Sequence, residues 1–322
     1  MEQGARIYVA GHTGLAGSAI VRVLERAGYS NLVMRRHAEL ELTDARAVQG
    51  FFERERPAYV FLAAAKVGGI LANDTYPAEF IRGNLAVQLN VIHEAWRNGV
   101  KRLLFLGSSC IYPRDCPQPM KEEYLLTGPL EPTNRAYAIA KIAGIEQCWS
   151  YNRQYGARFL AAMPTNLYGP GDSYDLENSH VLPALLRKIH IAKQAGERRV
   201  PIWGSGKPRR EFLYSDDMAS ACVHLMRLPD EAFSRLVAPA QAPLINIGAG
   251  EDQSIAELAA LVADVLGYRG EFVYDASKPD GTPRKLLDSA RVMALGWKPA
   301  ATLRQGITLA YQDFLRRHAA AA

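Results

Sequence analysis

A tyrosine and a lysine four residues apart, Tyr137 and Lys141, are the first pair in this sequence suited to chemistry. On a helix that spacing puts both on one face. A phenol can pass a proton, and an ammonium beside it lowers its pKa toward neutrality. Exposed helix faces also carry Y-x-x-x-K by chance, so the pair takes its weight from its surroundings. One neighbour is Ser108, which closes an apolar run at Arg102–Gly107; a hydroxyl there can hold a reacting carbonyl or hydroxyl oxygen. Another is the loop Gly11-His12-Thr13-Gly14-Leu15-Ala16-Gly17, placed between an apolar strand and a helix. Glycines let backbone approach a pyrophosphate, and the helix N-terminus offers unpaired N–H groups and a positive dipole end. Loop, serine and tyrosine–lysine pair together predict dinucleotide-dependent proton and hydride chemistry.

The kind of dinucleotide is read at the end of the second strand. A bare ribose diol calls for an acidic residue there, about 20 residues past the loop. This chain has Val33-Met34-Arg35-Arg36-His37. Guanidinium groups suit a 2′-phosphate, so Arg35 and Arg36 predict NADP(H); the plainer alternative is a solvated basic loop.

The elements that must position these groups alternate. Strands are expected at Arg6–Ala10, Asn31–Met34, Tyr59–Ala64, Arg102–Gly107 and Arg158–Met163. Helices are expected at Ser18–Ala27, from Thr43-Asp44 to before Pro57, at Asn84–Arg97 and at Ala136–Tyr155. Continuously apolar strands are covered on both faces, and alternation with helices gives a parallel, doubly wound sheet. After Pro164 the regularity weakens, with further helices at Leu182–Lys193, Ser215–Arg227, Ile255–Leu266 and Leu303–Arg317. The fold class is α/β: a Rossmann-like domain over 1–168 plus roughly 212–247, and a smaller α/β substrate-binding domain over roughly 169–211 plus 248–322.

Composition narrows the partners. Hydrophobic residues are 48% and charged residues 22%, enough for a sizeable core and against global disorder. The net charge of +5 suits an anionic ligand, but the basic residues are scattered, and no nucleic-acid partner is expected. No apolar stretch reaches a membrane span, and the N-terminus enters a strand almost at once rather than a signal segment. Four cysteines, Cys110, Cys116, Cys148 and Cys222, form no C-x-x-C pair. A reduced, cytoplasmic protein is expected, with Cys116, Cys148 and Cys222 as small apolar side chains.

These motifs sit within longer segments: Ala63-Ala64-Ala65-Lys66-Val67-Gly68-Gly69-Ile70, Gly107-Ser108-Ser109-Cys110-Ile111-Tyr112-Pro113 and Glu131-Pro132-Thr133-Asn134. Others are Met163-Pro164-Thr165-Asn166-Leu167-Tyr168-Gly169-Pro170, Trp203-Gly204-Ser205-Gly206 and Ala276-Ser277-Lys278-Pro279-Asp280-Gly281-Thr282-Pro283-Arg284-Lys285. Over almost its whole length the chain resembles the GDP-L-fucose synthase family of extended short-chain dehydrogenases, with Cys110 as the mark that separates it from related dehydratases and 4-epimerases. The resemblance implies Cys110 as a base, His180 as an acid, and Ser108, Tyr137 and Lys141 as the reduction centre. It implies NADP(H) held by Gly11 through Gly17, Arg35, Arg36, Leu106, Gly107, Ser109, Lys141, Pro164, Thr165, Asn166, Leu167 and His180. It implies substrate contacts at Lys188, Trp203 and Arg210, with Arg209 beside them on a diphosphate. Lys188 stands where the family favours arginine, and Thr13 where it favours a basic residue. Without the resemblance, Cys110 reads equally as a buried strand-end thiol, His180 as a helix-entry residue and Trp203 as core.

The implied reaction is a 3,5-epimerisation of a GDP-linked 4-keto sugar followed by reduction at C4. The ketone acidifies C3 and C5, so epimerisation precedes the reduction that destroys it. Alternatives are an NADP-dependent enzyme for another nucleotide-linked keto-sugar, or a non-catalytic NADP-binding protein, against which both Tyr137 and Lys141 speak. The family also implies a homodimer paired through the helices at Asn84–Arg97 and Ala136–Tyr155.

Overall fold

The computed structural model describes residues 1–176, 179–277, 280 and 282–319. Lys278, Pro279 and Gly281 of the motifs above lie outside the described residues. The chain opens with β1 (Ile7–Ala10), α1 (Leu15–Arg26), β2 (Leu32–Val33), α2 (Ala45–Glu55) and β3 (Tyr59–Leu62). Next come α3 (Ile70–Thr75), α4 (Pro77–Arg97), β4 (Arg102–Leu106), α5 (Arg135–Tyr155) and β5 (Phe159–Pro164). All four residues of β1 and of β3, and all five of β4, are buried, as strands covered on both faces must be.

The second half has β6 (Asn166–Tyr168), α6 (Val181–Ala195), β7 (Arg199–Trp203), β8 (Arg209–Tyr214), α7 (Ser215–Arg227), α8 (Asp230–Leu236) and β9 (Leu244–Ile247). It ends with β10 (Asp252–Ser254), α9 (Ile255–Leu266), β11 (Glu271–Asp275), β12 (Arg284–Lys285), α10 (Ala290–Ala294) and α11 (Leu303–Ala319).

Six strands make a parallel sheet in the order β2-β1-β3-β4-β5-β9. Its strand order reverses between β1 and β3, and ligands of such sheets sit outside the carboxyl ends of the strands at that point. Two apolar cores cover the two faces of this sheet. A third core joins α6, α9 and α11 to β7 and β8. There β8 pairs with β6, β10 and β12, while β7 pairs with β11. Val292 and Trp297 pack in the first core and Leu287 in the second, so the chain returns to the six-stranded sheet after β12.

The helices expected at 215–227 and 255–266 form with those bounds. The helix expected from Asn84 begins seven residues earlier, because Pro77 occupies its first turn, where a missing N–H costs nothing. The helix expected from Ser18 begins at Leu15, at the glycine loop itself.

Candidate active site

The glycine loop is shaped by close backbone contacts. Gly11 follows β1 with φ +82°, and a Cβ there would lie 2.7 Å from the Ala64 nitrogen at the end of β3. A Cβ on Gly17 would lie 2.0 Å from the Gly11 carbonyl oxygen, so α1 is pressed onto the loop that feeds it. Gly14 is different: its Cβ would stand 3.6 Å from the same oxygen, an ordinary contact. Gly14 caps α1 in an extended conformation with no side-chain cap, and the first turn holds no acidic residue. The helix end therefore presents its N–H groups and dipole to the switch point, as a pyrophosphate requires. His12 Nδ1 is buried beside the loop without a partner. Burial, with the Arg36 cation nearby, holds that imidazole below its usual pKa.

The two arginines after β2 are not equivalent. Arg35 donates to Glu55 at 2.5 Å and to the Met34 carbonyl at 2.8 Å, and lies over the Phe51 ring. Arg36 is exposed, and its charge is felt at His12. Arg36 is the guanidinium facing the glycine loop, whereas Arg35 is held on α2.

Tyr137 and Lys141 rise from α5, which lies tight on β4. A Cβ on Gly144 would meet the Phe105 ring at 2.5 Å, so glycine permits this approach. It lets the Lys141 ammonium reach the Leu106 carbonyl at 2.7 Å, 4.7 Å from the Phe105 ring centroid. Lys141 is buried, and burial alone draws its pKa down to about 7. Tyr137 lies edge-on to Phe80, with the Ser108 hydroxyl near enough to act on its phenol. The expectation that Lys141 lowers the phenol is not met. Burial raises the phenol well above its ordinary value, with the Cys110 sulfur adding to the rise and Ser108 opposing it. The reason is the ammonium's placement: it is spent on a backbone carbonyl, 5.8 Å from the Tyr137 ring centroid.

Ser108 ends the strand segment and caps a short 3-10 turn, Ser109–Ile111, accepting from the Cys110 N–H at 3.3 Å. This turn sets Cys110 half-buried at the edge of the cleft. Its sulfur accepts from the Asn134 amide at 3.3 Å and from the Lys285 ammonium at 3.6 Å. A negative sulfur is suited by such surroundings. Arg210 lies close enough that Cys110 raises its pKa, against a larger lowering by burial. The structure thus gathers Ser108, Cys110, Tyr137, Arg210, Asn134 and Lys285. Asn134 and Lys285 stood in the quoted motifs without an assigned role, since only tertiary contact turns them toward the sulfur.

His180 is the N-cap of α6, solvent-accessible yet enclosed by protein on most sides, which lowers its pKa. Among the described residues no hydrogen bond joins it to Cys110 or Tyr137. Lys188, two turns along α6, sets its ammonium 4.8 Å from the Trp203 ring centroid. Trp203 is half exposed at the end of β7, so it is not core. Arg209 does not share a phosphate role with Arg210: adjacent strand residues face opposite sides, and Arg209 pairs with Asp252 at 2.9 Å and Glu257 at 3.2 Å. Pro164, Thr165, Asn166 and Leu167 leave the end of β5, where the Thr165 hydroxyl and Asn166 amide donate to the Glu211 carbonyl. A Cβ on Gly107 would press on the flexible end of Met163, at 2.2 Å, and make an ordinary contact with the Ala162 carbonyl. Leu106 and Ser109 flank it at the end of β4. Cys148 and Cys222 are fully buried and Cys116 half-buried, and burial raises all three thiols. Among the described residues no cluster suits a metal ion and no helix is long and apolar enough to cross a membrane.

The NAD dependent epimerase/dehydratase family matches residues 7–241. GDP-L-fucose synthase 1 of Arabidopsis thaliana is 54% identical over 315 residues, covering 98% of this chain and 94% of its own. GDP-L-fucose synthase of Escherichia coli is 55% identical over 310 residues, covering 96% of each. A GDP-mannoheptose C4 reductase from Campylobacter jejuni, solved with NADP bound, superposes with a TM-score of 0.88 at 41% identity, covering 98% of this chain and 99% of that one. These likenesses run the length of the sheet, the cleft and the third core, and by them the chain belongs to the NAD dependent epimerase/dehydratase family, in its GDP-L-fucose synthase branch.

Proposed function

We propose that this chain converts GDP-4-keto-6-deoxy-D-mannose to GDP-L-fucose, first inverting C3 and C5 and then reducing C4. The observation that carries this reading is Cys110: it sits beside the Ser108–Tyr137 pair, with a cation and an amide donor on its sulfur.

The residues present fit NADP(H). Gly11 and Gly17 keep the loop close to the backbone, α1 presents free N–H groups, and Arg36 supplies a cation for a 2′-phosphate. Lys141, Leu106, Gly107, Ser109 and the 164–167 segment line the ends of β4 and β5 alongside it. When bound, NADPH supplies the hydride that reduces C4.

In the first stage Cys110 removes the proton on C3 or C5. The enolate oxygen at C4 is held by Ser108 and Tyr137, as an oxyanion hole does. His180, as its imidazolium, returns a proton to the opposite face and is recharged from solvent; burial lowers its pKa, which makes the imidazolium a stronger donor. In the second stage Tyr137 gives the C4 oxygen its proton, and the nearby Ser108 hydroxyl, which draws the phenol's pKa down, steadies the charge left behind. Arg210 and Lys188 meet the diphosphate, and Trp203 offers its half-exposed ring to the base. The division of labour follows the two regions: roughly 1–168 with 212–247 for the cofactor, and roughly 169–211 with 248–322 for the substrate. The 287–297 segment packs with the former.

We also infer a homodimer in the cytoplasm. Leu89 on α4, and Ile139 and Tyr155 on α5, are exposed apolar groups on two helices packed together, and free thiols suit a reducing compartment. The test of the activity is incubation with GDP-4-keto-6-deoxy-D-mannose and NADPH, followed by NMR of the sugar. An L-galacto product supports the reading, and a 6-deoxy sugar of the D series makes the chain a C4 reductase.

A further inference from the structure

Glu211 is wholly buried, and it lies between the three parts that meet at the cleft. Its carboxylate is held by backbone: Oε1 accepts from the Gly250 N–H at 2.8 Å, and Oε2 from the Leu287 N–H at 3.0 Å. Its own carbonyl accepts from the Asn166 amide at 2.8 Å and from the Thr165 hydroxyl at 3.3 Å. Gly250 follows β9 of the six-stranded sheet, and Thr165 and Asn166 follow β5. Leu287 lies two residues past Lys285, whose ammonium touches the Cys110 sulfur, and Lys285 pairs in register with Arg210. A carboxylate offers lone pairs to two N–H donors at once. Space for it is left by Gly248, where a Cβ would lie 2.3 Å from Glu211 Oε1. Burial pushes this carboxyl up, and the surrounding N–H groups draw it back.

We propose that Glu211 is a positioning residue: by clamping the backbone at Leu287 and Gly250 while its neighbour Arg210 faces the cleft, it sets the Lys285 ammonium against Cys110. The proposal rests on the reading of Cys110 as the base. It predicts that Glu211 acts on proton removal through Lys285 rather than through general stability.

The measurement is deuterium wash-in at C3 and C5 of GDP-4-keto-6-deoxy-D-mannose in deuterated water, with NADP+ present and no NADPH. The variants are Glu211→Gln, Lys285→Ala and the pair combined. Glutamine keeps the shape but turns one acceptor into a donor facing an N–H. Wash-in should fall about tenfold or more in Glu211→Gln, and by less than about threefold when the same change is made on Lys285→Ala, since residues that act through one another are not additive. Gly248→Ala pushes the carboxylate aside with its charge intact and should reproduce the loss, which covers the case of Glu211→Gln failing to fold. Equal factors in both backgrounds, or wild-type wash-in for both Glu211→Gln and Gly248→Ala, would overturn the positioning role. A parallel Cys110→Ser sample separates the layers. If it exchanges at the wild-type rate, the base assignment beneath the proposal fails and the proposal falls with it. If it is silent while the factors are equal, only the positioning role is lost.

Discussion

Replacing one sulfur by oxygen at Cys110 separates the two stages of the proposed reaction. Cys110→Ser keeps the shape of the 3-10 turn and its N–H bond to Ser108, but a hydroxyl is far too weak an acid to stand in for the thiol. Ser108, Tyr137 and Lys141 are untouched. Exchange at C3 and C5 should stop, while slow reduction of the unepimerised ketone gives a D-series 6-deoxy sugar. His180 variants should still exchange hydrogens yet invert poorly. Wild-type exchange in Cys110→Ser would remove the thiol from the mechanism. Lys141 makes a second prediction, about stability. Its pKa falls from 10.5 to about 7 on burial, so between those values the unfolded chain binds a proton the folded chain lacks. Stability therefore rises with pH across that window, and below it the full cost of the buried ammonium is felt. Each pH unit is worth about 1.4 kcal/mol. Lys141→Met, without a titrating group, should melt higher than wild type at pH 7 in the absence of cofactor, and the gap should narrow by several degrees at pH 9. A gap independent of pH would show that the ammonium is not desolvated in the fold.

At the scale of elements, the glycine loop and the turn after β2 act as one surface on which the two arginines play separate parts. Arg36→Ala should weaken NADPH binding by about tenfold or more, the worth of a charge-assisted contact, and leave NADH binding unchanged. Arg35→Ala should lose the Glu55 ion pair and the Phe51 contact, lowering the melting temperature with a smaller effect on NADPH. Titrating both cofactors by fluorescence against both variants decides it; equal losses would return the arginines to equal roles. Gly17→Ala and Gly14→Ala make the companion pair. The first drives a methyl into the Gly11 carbonyl at 2.0 Å, while the second meets it at 3.6 Å. Gly17→Ala should cost about 1–3 kcal/mol or more and most of the cofactor affinity, whereas Gly14→Ala should fold normally. The loop, the apolar strands and the Tyr137–Lys141 helix were legible in the sequence because each is dictated within a few residues, by glycine spacing, apolar runs and helical period. The partition of Arg35 from Arg36, the loss of Arg209 to Asp252 and Glu257, and the raised Tyr137 phenol were not legible. Each depends on what a distant strand or helix brings alongside. The strands β7, β8, β11 and β12 were missed because none is a continuous apolar run: β7 alternates exposed and buried residues around Pro201, β8 opens on two arginines, β11 is mostly exposed, and β12 has only two residues.

For the whole molecule, the two long helices that carry one wall of the cleft also present exposed apolar groups on their outer side. The pairing of α4 with α5 buries Gln88, which donates to the Ala140 carbonyl at 2.6 Å, and sets Phe80 against Tyr137. The outer side of the same pair exposes 53% of Leu89, 37% of Ile139 and 47% of Tyr155. Full burial of a large apolar side chain is worth about 1.5–3 kcal/mol, so covering the exposed half of each is worth about half of that. A second copy related by a two-fold axis would cover each of them twice, which is how a modest patch adds up in an isologous dimer. Leu89→Asp combined with Ile139→Asp places four carboxylates in that interface at two positions that reach solvent in the single chain. Analytical ultracentrifugation at micromolar concentration should find the wild type as a dimer and the double variant as a monomer with an unaltered far-UV circular dichroism spectrum. The monomer should also turn over more slowly, because α5 holds Tyr137 and Lys141 and its outer face would then be uncovered. A double variant that sediments with the wild type would place the contact between copies on another face and free α4 and α5 from any part in assembly.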